Sequence, residues 1–360
     1  MKYIGKLLGG ILLGINAVAA LLLFLSAYSP SIDPHAHPVV SSMGLFFPVF
    51  LLMNVFFLIF WAVVYRRFVL FPLLVFIGCW GSIRTYFPIN CFEDDAPEEV
   101  IMIVSYYTRA FGEKQPHTKE RPNEVLAYLQ NSDADIICLQ EYIFGGKLKK
   151  KDIDYALRDY RYKHYLPLAK GLNGLGCYSR YPILSATPIL YKGTRNGSVA
   201  YRIKVGGDTL LVINNHLESN KILKSDVETY QEMMDAPTKQ NLFAGIRKLW
   251  GKVAEATSIR AKQADVLVET LRDSKEKSVV LCGDFNDTPI SYTHHVLSDK
   301  LQDAFVETGN GLGVSYNKDR LYVRIDHILV SKNLKVYDCA VDNRIKASDH
   351  YPVWCYLSLQ

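Results

Sequence analysis

The first 90 residues carry only six formal charges, Lys2, Lys6, Asp33, Arg66, Arg67 and Arg84, and the stretches between them are almost wholly apolar. Leu7 to Tyr28 and Gly44 to Val64 are each long enough to cross a hydrocarbon core about 30 Å thick at about 1.5 Å per residue. Inside lipid every backbone N–H and C=O needs an internal partner, so such runs are expected to be helices. A third run, Phe68 to Ile83, is shorter. It spans if Thr85 to Ile89 lies in the interfacial zone and Arg84 snorkels. The expectation is a transmembrane region over residues 1–90 with three helices, two crossings being the alternative. A cleaved leader does not fit the first run, which is too long and is followed by two more.

Lys2 and Lys6 precede the first run, Ser29 to Ser42 contains no Lys or Arg, and Arg66 and Arg67 lie between the second and third. The positive-inside bias then puts the amino terminus and the Arg pair in the cytoplasm, and three crossings leave everything after Pro88 outside. Taking the five cations and one acid of this region from totals of 41 and 36 leaves 36 basic and 35 acidic residues in the remainder. That balance argues against a broad nucleic-acid-binding face. The run "KLKKKD" from Lys147 reads as a solvated loop, and His35 and His37 as unliganded.

From Glu99 onward, β-like runs recur: "VIMIVSY", "DIICLQ", "GLGCYS", "VAYRIKV", "DTLLVINNHL", "VVLCGDF", "RIDHILV", "LKVYDCAV" and "YPVWCYLSL". Helices are expected over Pro122 to Gln130 and Ala254 to Arg272, the latter with an apolar face of Ala256, Ile259, Val266, Leu267 and Leu271. Asn220 to Val253 reads as a helical insertion, with an amphipathic membrane-surface helix as the rival. Strands that do not alternate in polarity, interleaved with helices, point to buried sheets covered by helices. There are seven cysteines and no CxxC spacing, which disfavours a zinc site; Cys138, Cys282 and Cys355 sit in apolar runs as small hydrophobes, and Cys79 in a membrane segment.

Several of these runs end in polar side chains suited to phosphate-ester hydrolysis, which needs a hard cation, an oriented water and donors to developing charge. Glu141, closing "IICLQE", suits Mg²⁺, which takes one or two carboxylates and keeps several waters. Asp284 in "GDFN" can orient or deprotonate water, and Asn286 can hold that Asp and donate to phosphate. His350 can donate to a phosphoryl oxygen with Asp326 fixing its tautomer, and His216 supplies a second donor. In "NGLGCYSRYPI", Gly174, Gly176 and Arg180 are read as serving turn geometry and surface contacts.

The order "LQE", "NxHL", "GDFN", "RIDH", "SDHYPV" resembles the endonuclease/exonuclease/phosphatase superfamily, whose fold is that of DNase I, over about Val100 to the carboxyl end. The resemblance implies a four-layer α/β/β/α sandwich over residues 99–360. It implies a metal-dependent hydrolase of phosphate esters with Glu141 and Asp349 at the metal, and Asp284, Asn286, His216, Asp326 and His350 in catalysis. Mg²⁺ is the implied cofactor, Mn²⁺ its alternative. Membrane spans ahead of such a domain look like membrane-anchored bacterial members. The expectation is therefore a multi-pass protein of the bacterial inner membrane with its catalytic domain outside, acting on a phosphodiester or phosphomonoester. A lipid headgroup is favoured over nucleic acid; a nuclease, or a weak phospholigand-binding or partner-binding domain, is the alternative. One departure stands out: the family's first strand usually ends in an "SYN" type motif, and this chain reads "VSYYTRAFG", with Tyr107 where the Asn is expected.

Overall fold

The structure, a computed structural model, describes residues 2–91, 96–97, 99–220, 226, 239–318 and 321–359. Half of the expected insertion Asn220 to Val253 lies outside the described residues. Two stretches, Leu7–Ser31 and Pro38–Val64, are helical, long and apolar enough to cross a membrane, and the pair Arg66–Gly78 and Trp80–Tyr86 is bent by 68°. Buried amides link the first two: Trp61 Nε1 donates to Asn16 Oδ1 at 2.9 Å, and Asn54 Nδ2 to the Ala19 carbonyl at 3.0 Å. Among apolar side chains such bonds fix helix register.

The remainder contains two six-stranded sheets. The first runs β13-β14-β1-β2-β4-β3, with β1 Ile101–Tyr107, β2 Ile136–Gln140, β3 Tyr162–Leu168, β4 Asn173–Ser179, β13 Leu334–Val341 and β14 Val353–Leu359. The second runs β5-β6-β7-β8-β12-β9, with β5 Ile183–Leu190, β6 Gly197–Val205, β7 Asp208–His216, β8 Ser278–Asp284, β9 Gln302–Asp303 and β12 Asp326–Val330. Strands β10 Tyr316–Lys318 and β11 Leu321–Val323 pair antiparallel by themselves. Within each sheet only one pair is parallel, β1 with β2 and β7 with β8.

The sheets face each other across a core that includes Ile103, Ile136, Cys177, Tyr201, Val212, Val280 and Cys355. Leu126, Leu129 and Ile153, from helices Glu124–Gln130 and Lys150–Ala156, cover the outside of the first sheet. Leu267 and Leu297, from helices Lys239–Asp273 and Tyr292–Ser298, cover the second. This is the four-layer arrangement expected from the sequence, and it buries both faces of both sheets.

Three local readings need correction. The helix expected from Pro122 begins at Glu124, because Asn123 caps it by accepting from Leu126 N at 3.1 Å. The helix expected from Ala254 is already helical at Lys239, the first described residue of that stretch. Gly174 and Gly176 are within a strand, not in a turn: a Cβ at 176 would lie 2.5 Å from the Tyr142 ring, and one at 174 would lie 2.6 Å from the Tyr142 carbonyl and 2.7 Å from the Tyr165 ring. Arg180 is at the surface, near Asp135 at 3.7 Å.

Candidate active site

The two parallel pairs determine where the polar residues meet. β1, β2, β7 and β8 end on one rim, and β12 and β14, antiparallel to their neighbours, begin there. His216 and Asp326 are both in register with Asp284. The strand ends therefore bring Glu141, His216, Asp284, Asn286, Asp326, Asp349 and His350 to one edge.

The Asp284 loop is held by its own backbone. Gly283 has φ 133°, and a Cβ there would lie 2.0 Å from the Asn215 carbonyl oxygen, so only glycine lets β7 and β8 close up ahead of the Asp284 turn. Asn286 adopts φ 53°; its backbone N–H donates to Asp284 Oδ1 at 2.8 Å, and its Nδ2 to Asp284 Oδ2 at 2.8 Å and to the Leu217 carbonyl at 2.9 Å. Glu141 also sits at positive φ, 45°. Left-handed backbone at two non-glycine residues is costly and concentrates at working sites.

Asp284 is buried, which raises its carboxyl, and Asp326 adds to the rise against the opposing pull of His350; the result is about 8. His350 behaves oppositely. Burial disfavours its charged form, but Asp326, hydrogen-bonded to Nδ1 at 2.8 Å, together with Asp284 and Asp349, outweighs burial and lifts it to about 9. His350 is thus an imidazolium at neutral pH with Nε2 as its remaining donor. His216 is neutral, pushed down to about 3 by burial and by the charge of His350. Asn173 donates Nδ2–H to its Nδ1 at 3.2 Å, since Asn173 Oδ1 is engaged by Gly174 N at 2.7 Å. That leaves the proton on His216 Nε2, 3.7 Å from Asp284 Oδ2.

Tyr107 occupies the middle of the rim. Its ring stacks on His350 at 4.1 Å and 22°, and meets His216 edge-on at 5.5 Å. Its hydroxyl is hydrogen-bonded to Glu141; burial and the Glu141 and Asp284 charges keep it protonated. After Thr108 the chain runs left-handed from Arg109 to Lys114, an arrangement L-residues rarely adopt for more than one position. Arg109 Nε lies 3.8 Å from Asp349 Oδ2, and Lys318 Nζ 3.3 Å.

Burial raises the Glu141 carboxyl, and the Asp349 charge raises it further. A Glu141 carboxylate raised by burial, with the Asp349 carboxylate near it, fits a divalent cation. Two His/Asp clusters are poorer candidates. Asp284, Asp326 and His350 converge within 4.8 Å, but the imidazolium lies among them. His294, Asp303 and His327 also converge, yet His294 Nε2 is bonded to Asp303 at 2.8 Å, and the buried Arg324 supplies positive charge there.

Sequence reasoning missed the supports. Gln140 Nε2 donates to Asn214 Oδ1 at 2.7 Å, and Asn214 Nδ2 to the Gly176 carbonyl at 3.0 Å, tying the two sheets together below the rim. Both precede assigned residues in "LQE" and "INNH", the one signal available. Asn173 had no signal. Arg324, two residues before Asp326, donates to the Thr85 carbonyl and stacks over Phe305 at 4.5 Å.

The sequence profile of the Endonuclease/Exonuclease/phosphatase family matches residues 108–350, and that of a domain of unknown function (DUF8431) matches residues 9–86. No curated protein matches the chain in sequence. Among solved structures, the human Nocturnin catalytic domain with bound sulfate superimposes with a TM-score of 0.52 at 15% identity, over 75% of this chain and 97% of that one. D. rerio TDP2 complexed with single strand DNA product gives 0.51 at 16%, over 72% and 100%. An endonuclease/exonuclease/phosphatase family protein from Bacteroides thetaiotaomicron gives 0.51 at 16%, over 74% and 100%. At these identities the superpositions speak for the fold.

Proposed function

The chain belongs to the endonuclease/exonuclease/phosphatase family, and on that premise we propose that it is a membrane-embedded, Mg²⁺-dependent hydrolase of phosphate esters. The observation that carries this reading is the rim itself: a buried Asp284 braced by Asn286 faces an imidazolium, His350, charged by Asp326, beside the paired carboxylates Glu141 and Asp349.

Asp284 aligns a water and takes its proton as the water oxygen bonds to phosphorus and the ester P–O bond breaks. Asn286 orients Asp284 and has no donor to spare, since its backbone N–H and both Nδ2 hydrogens are engaged there and at Leu217. His350 Nε2–H and His216 Nε2–H donate to phosphoryl oxygens, and Arg109 and Lys318 add positive charge at the Asp349 side. Glu141 and Asp349 would hold Mg²⁺, or Mn²⁺ in its place, and the bound cation neutralises phosphoryl charge and helps the leaving oxygen.

Contacts along the apolar helices support three crossings. The loop after the first helix touches the hydrolase domain through His35 and Asp265 at 2.8 Å and through Trp250 Nε1, which donates to Ser42 Oγ at 2.7 Å. The far end of the third segment touches the same domain, with Thr85 accepting from Arg324 and Pro88 accepting from Gly311 N at 2.9 Å. Both are therefore on one side. Phe68 and Val69 cluster with Leu12 and Leu13, whereas Ser82 Oγ donates to the Ala27 carbonyl at 2.9 Å. From Leu12 to Ala27 the first helix rises about 22 Å, so the bent third segment climbs most of a hydrocarbon core. With the positive-inside bias, the catalytic domain lies on the outer face of a bacterial inner membrane.

The substrate reading favours a lipid headgroup. Ile290 is six residues beyond Asp284, so at most about 21 Å away, and it is buried among Leu23, Ala27, Phe47, Val75 and Cys79 at the end of the apolar bundle. Arg324, two residues before Asp326, is tied to Thr85. Two catalytic segments thus rest on the membrane helices. The nuclease alternative draws on the zebrafish TDP2 neighbour bound to DNA product, and the near-neutral charge beyond residue 90 weighs against it.

The test is hydrolysis by the purified full chain in nanodiscs, with Mg²⁺ or EDTA, of bis-p-nitrophenyl phosphate, phospholipids and single-stranded DNA, with Asp284→Ala as control. Cation-dependent turnover lost in the variant is expected. A folded protein inert toward all three with every divalent cation would return the rim to a phospholigand- or partner-binding role.

A further inference from the structure

The segment from Gly309 to Arg324 is attached at both ends to the outer end of the third apolar segment. Asn90 Nδ2 donates to the Gly309 carbonyl at 2.6 Å, Gly311 N to the Pro88 carbonyl at 2.9 Å, and Arg324 to the Thr85 carbonyl. Between these anchors the chain forms the β10–β11 hairpin. One strand lines the active site: Tyr316 bridges to His350 and meets its ring at 5.1 Å, and Lys318 reaches Asp349. The other strand presents Leu321 and Tyr322, 42% and 60% exposed, and Leu312, 46% exposed, sits beside Pro88. Phe87 and Ile89, flanking Pro88, are 42% and 68% exposed and continue the apolar surface of Ile77 and Trp80.

Scattered apolar residues on a soluble surface need no explanation, but Leu312 follows the Gly311 that is bonded to Pro88 at the end of the third apolar segment, and Leu321 and Tyr322 lie on the strand paired with the one that lines the site. Tyr beside Leu and Lys is the composition that settles at the headgroup level. We propose that Leu312 and the β10–β11 hairpin form a lip resting in the headgroup layer of a lipid bilayer, so that the site takes the phosphate ester of a lipid still held in that bilayer. The proposal rests on the phosphoesterase reading for its chemistry, and on the hairpin's attachment to Thr85, Pro88 and Asn90 for its place. Lys318 is positioned to meet the phosphate on the way to His350.

The experiment uses the full chain in nanodiscs of phosphatidylcholine with phosphatidylglycerol. Among the cysteines only Cys91 is exposed, so Cys91→Ser with Leu321→Cys gives one site for a nitroxide. The label should be relaxed by oxygen more than by a water-soluble nickel chelate. Leu321→Glu with Tyr322→Glu should lower turnover of bilayer phospholipid about tenfold while leaving bis-p-nitrophenyl phosphate within about twofold. A label that is water-exposed, or one buried only on adding a single-stranded oligonucleotide that stacks on Tyr322, overturns the lip, as does an equal loss on both substrates. If the unsubstituted protein hydrolyses nothing, the phosphoesterase reading fails, and the label still decides where the hairpin lies.

Discussion

Asp284→Asn should make the cation-free protein more stable while removing its activity, and the size of the gain follows from burial. An aspartate whose carboxyl rises from 3.8 to about 8 binds its proton more tightly folded than unfolded. Stability therefore falls as pH rises from 3.8 through 8, the reverse of a salt-bridged aspartate, and the loss is complete above 8. At about 1.4 kcal/mol for each tenfold in proton affinity, the raised Asp284 carboxyl costs about 5 kcal/mol at pH 8.5, where it is ionised, and only about 2 kcal/mol at pH 5, where it stays protonated in the fold. Asn avoids that cost, but its NH₂ faces Asn286 Nδ2, which donates to Asp284 Oδ2 at 2.8 Å in the present protein. The lost bond and the opposed donors return about 2 kcal/mol. The net expectation is a gain of about 3 kcal/mol at pH 8.5, roughly 10 °C in melting temperature, and almost none at pH 5. Thermal unfolding of the full chain in detergent with EDTA measures both. Added Mg²⁺ should raise the melting temperature of the unsubstituted protein and narrow the gap. An Asn variant that melts with, or below, the unsubstituted protein at pH 8.5 would refute the reasoning, as would a gap of equal size at pH 5.

The proposed mechanism needs Asp284 deprotonated and His350 protonated, so the rate should rise through about 8 and fall through about 9, with a bound cation moving the acid limb lower. Asp326→Asn removes the charge that holds His350 up; the alkaline limb of the rate profile should then move toward neutral pH and the maximum should drop about 100-fold. An alkaline limb still near 9 in that variant would mean Asp326 is not the cause. Tyr107→Phe keeps the stack on His350 and loses the hydroxyl at Glu141, so Mn²⁺ affinity read by electron paramagnetic resonance should weaken about tenfold. Tyr107→Asn loses the stack as well and should lower turnover, whereas a large gain would mark Tyr107 as a defect in an otherwise intact site.

Nine strands were legible because each is an inner strand with a run of apolar residues, or, in β13, an apolar pattern against its one partner. Of the edge strands, the two-residue β9 and the longer β3 and β5 were not, and β3 and β5 contain proline, Pro167 and Pro188, which an edge tolerates because one side of it needs no ladder bond. Their mixed exposure also erased the apolar signal. The short pair β10–β11 was equally silent, since three residues per strand carry no period.

Sequence alone determined that this chain has an apolar, helix-forming start and a buried two-sheet remainder, and which polar side chains follow the strands. Those depend on local composition and on order along the chain. Only the tertiary structure decided that the strand ends share a rim, because β1 with β2 and β7 with β8 run parallel and bring residues far apart in sequence together. It also decided what each residue's neighbours do to it: Asn173 sets the tautomer of His216, Tyr107 stands on His350, and Ile290 and Arg324 seat the catalytic loops on the apolar helices. Proton affinities and docking depend on desolvation and on charges a few ångströms away, and those distances are set by packing between segments that the sequence keeps far apart.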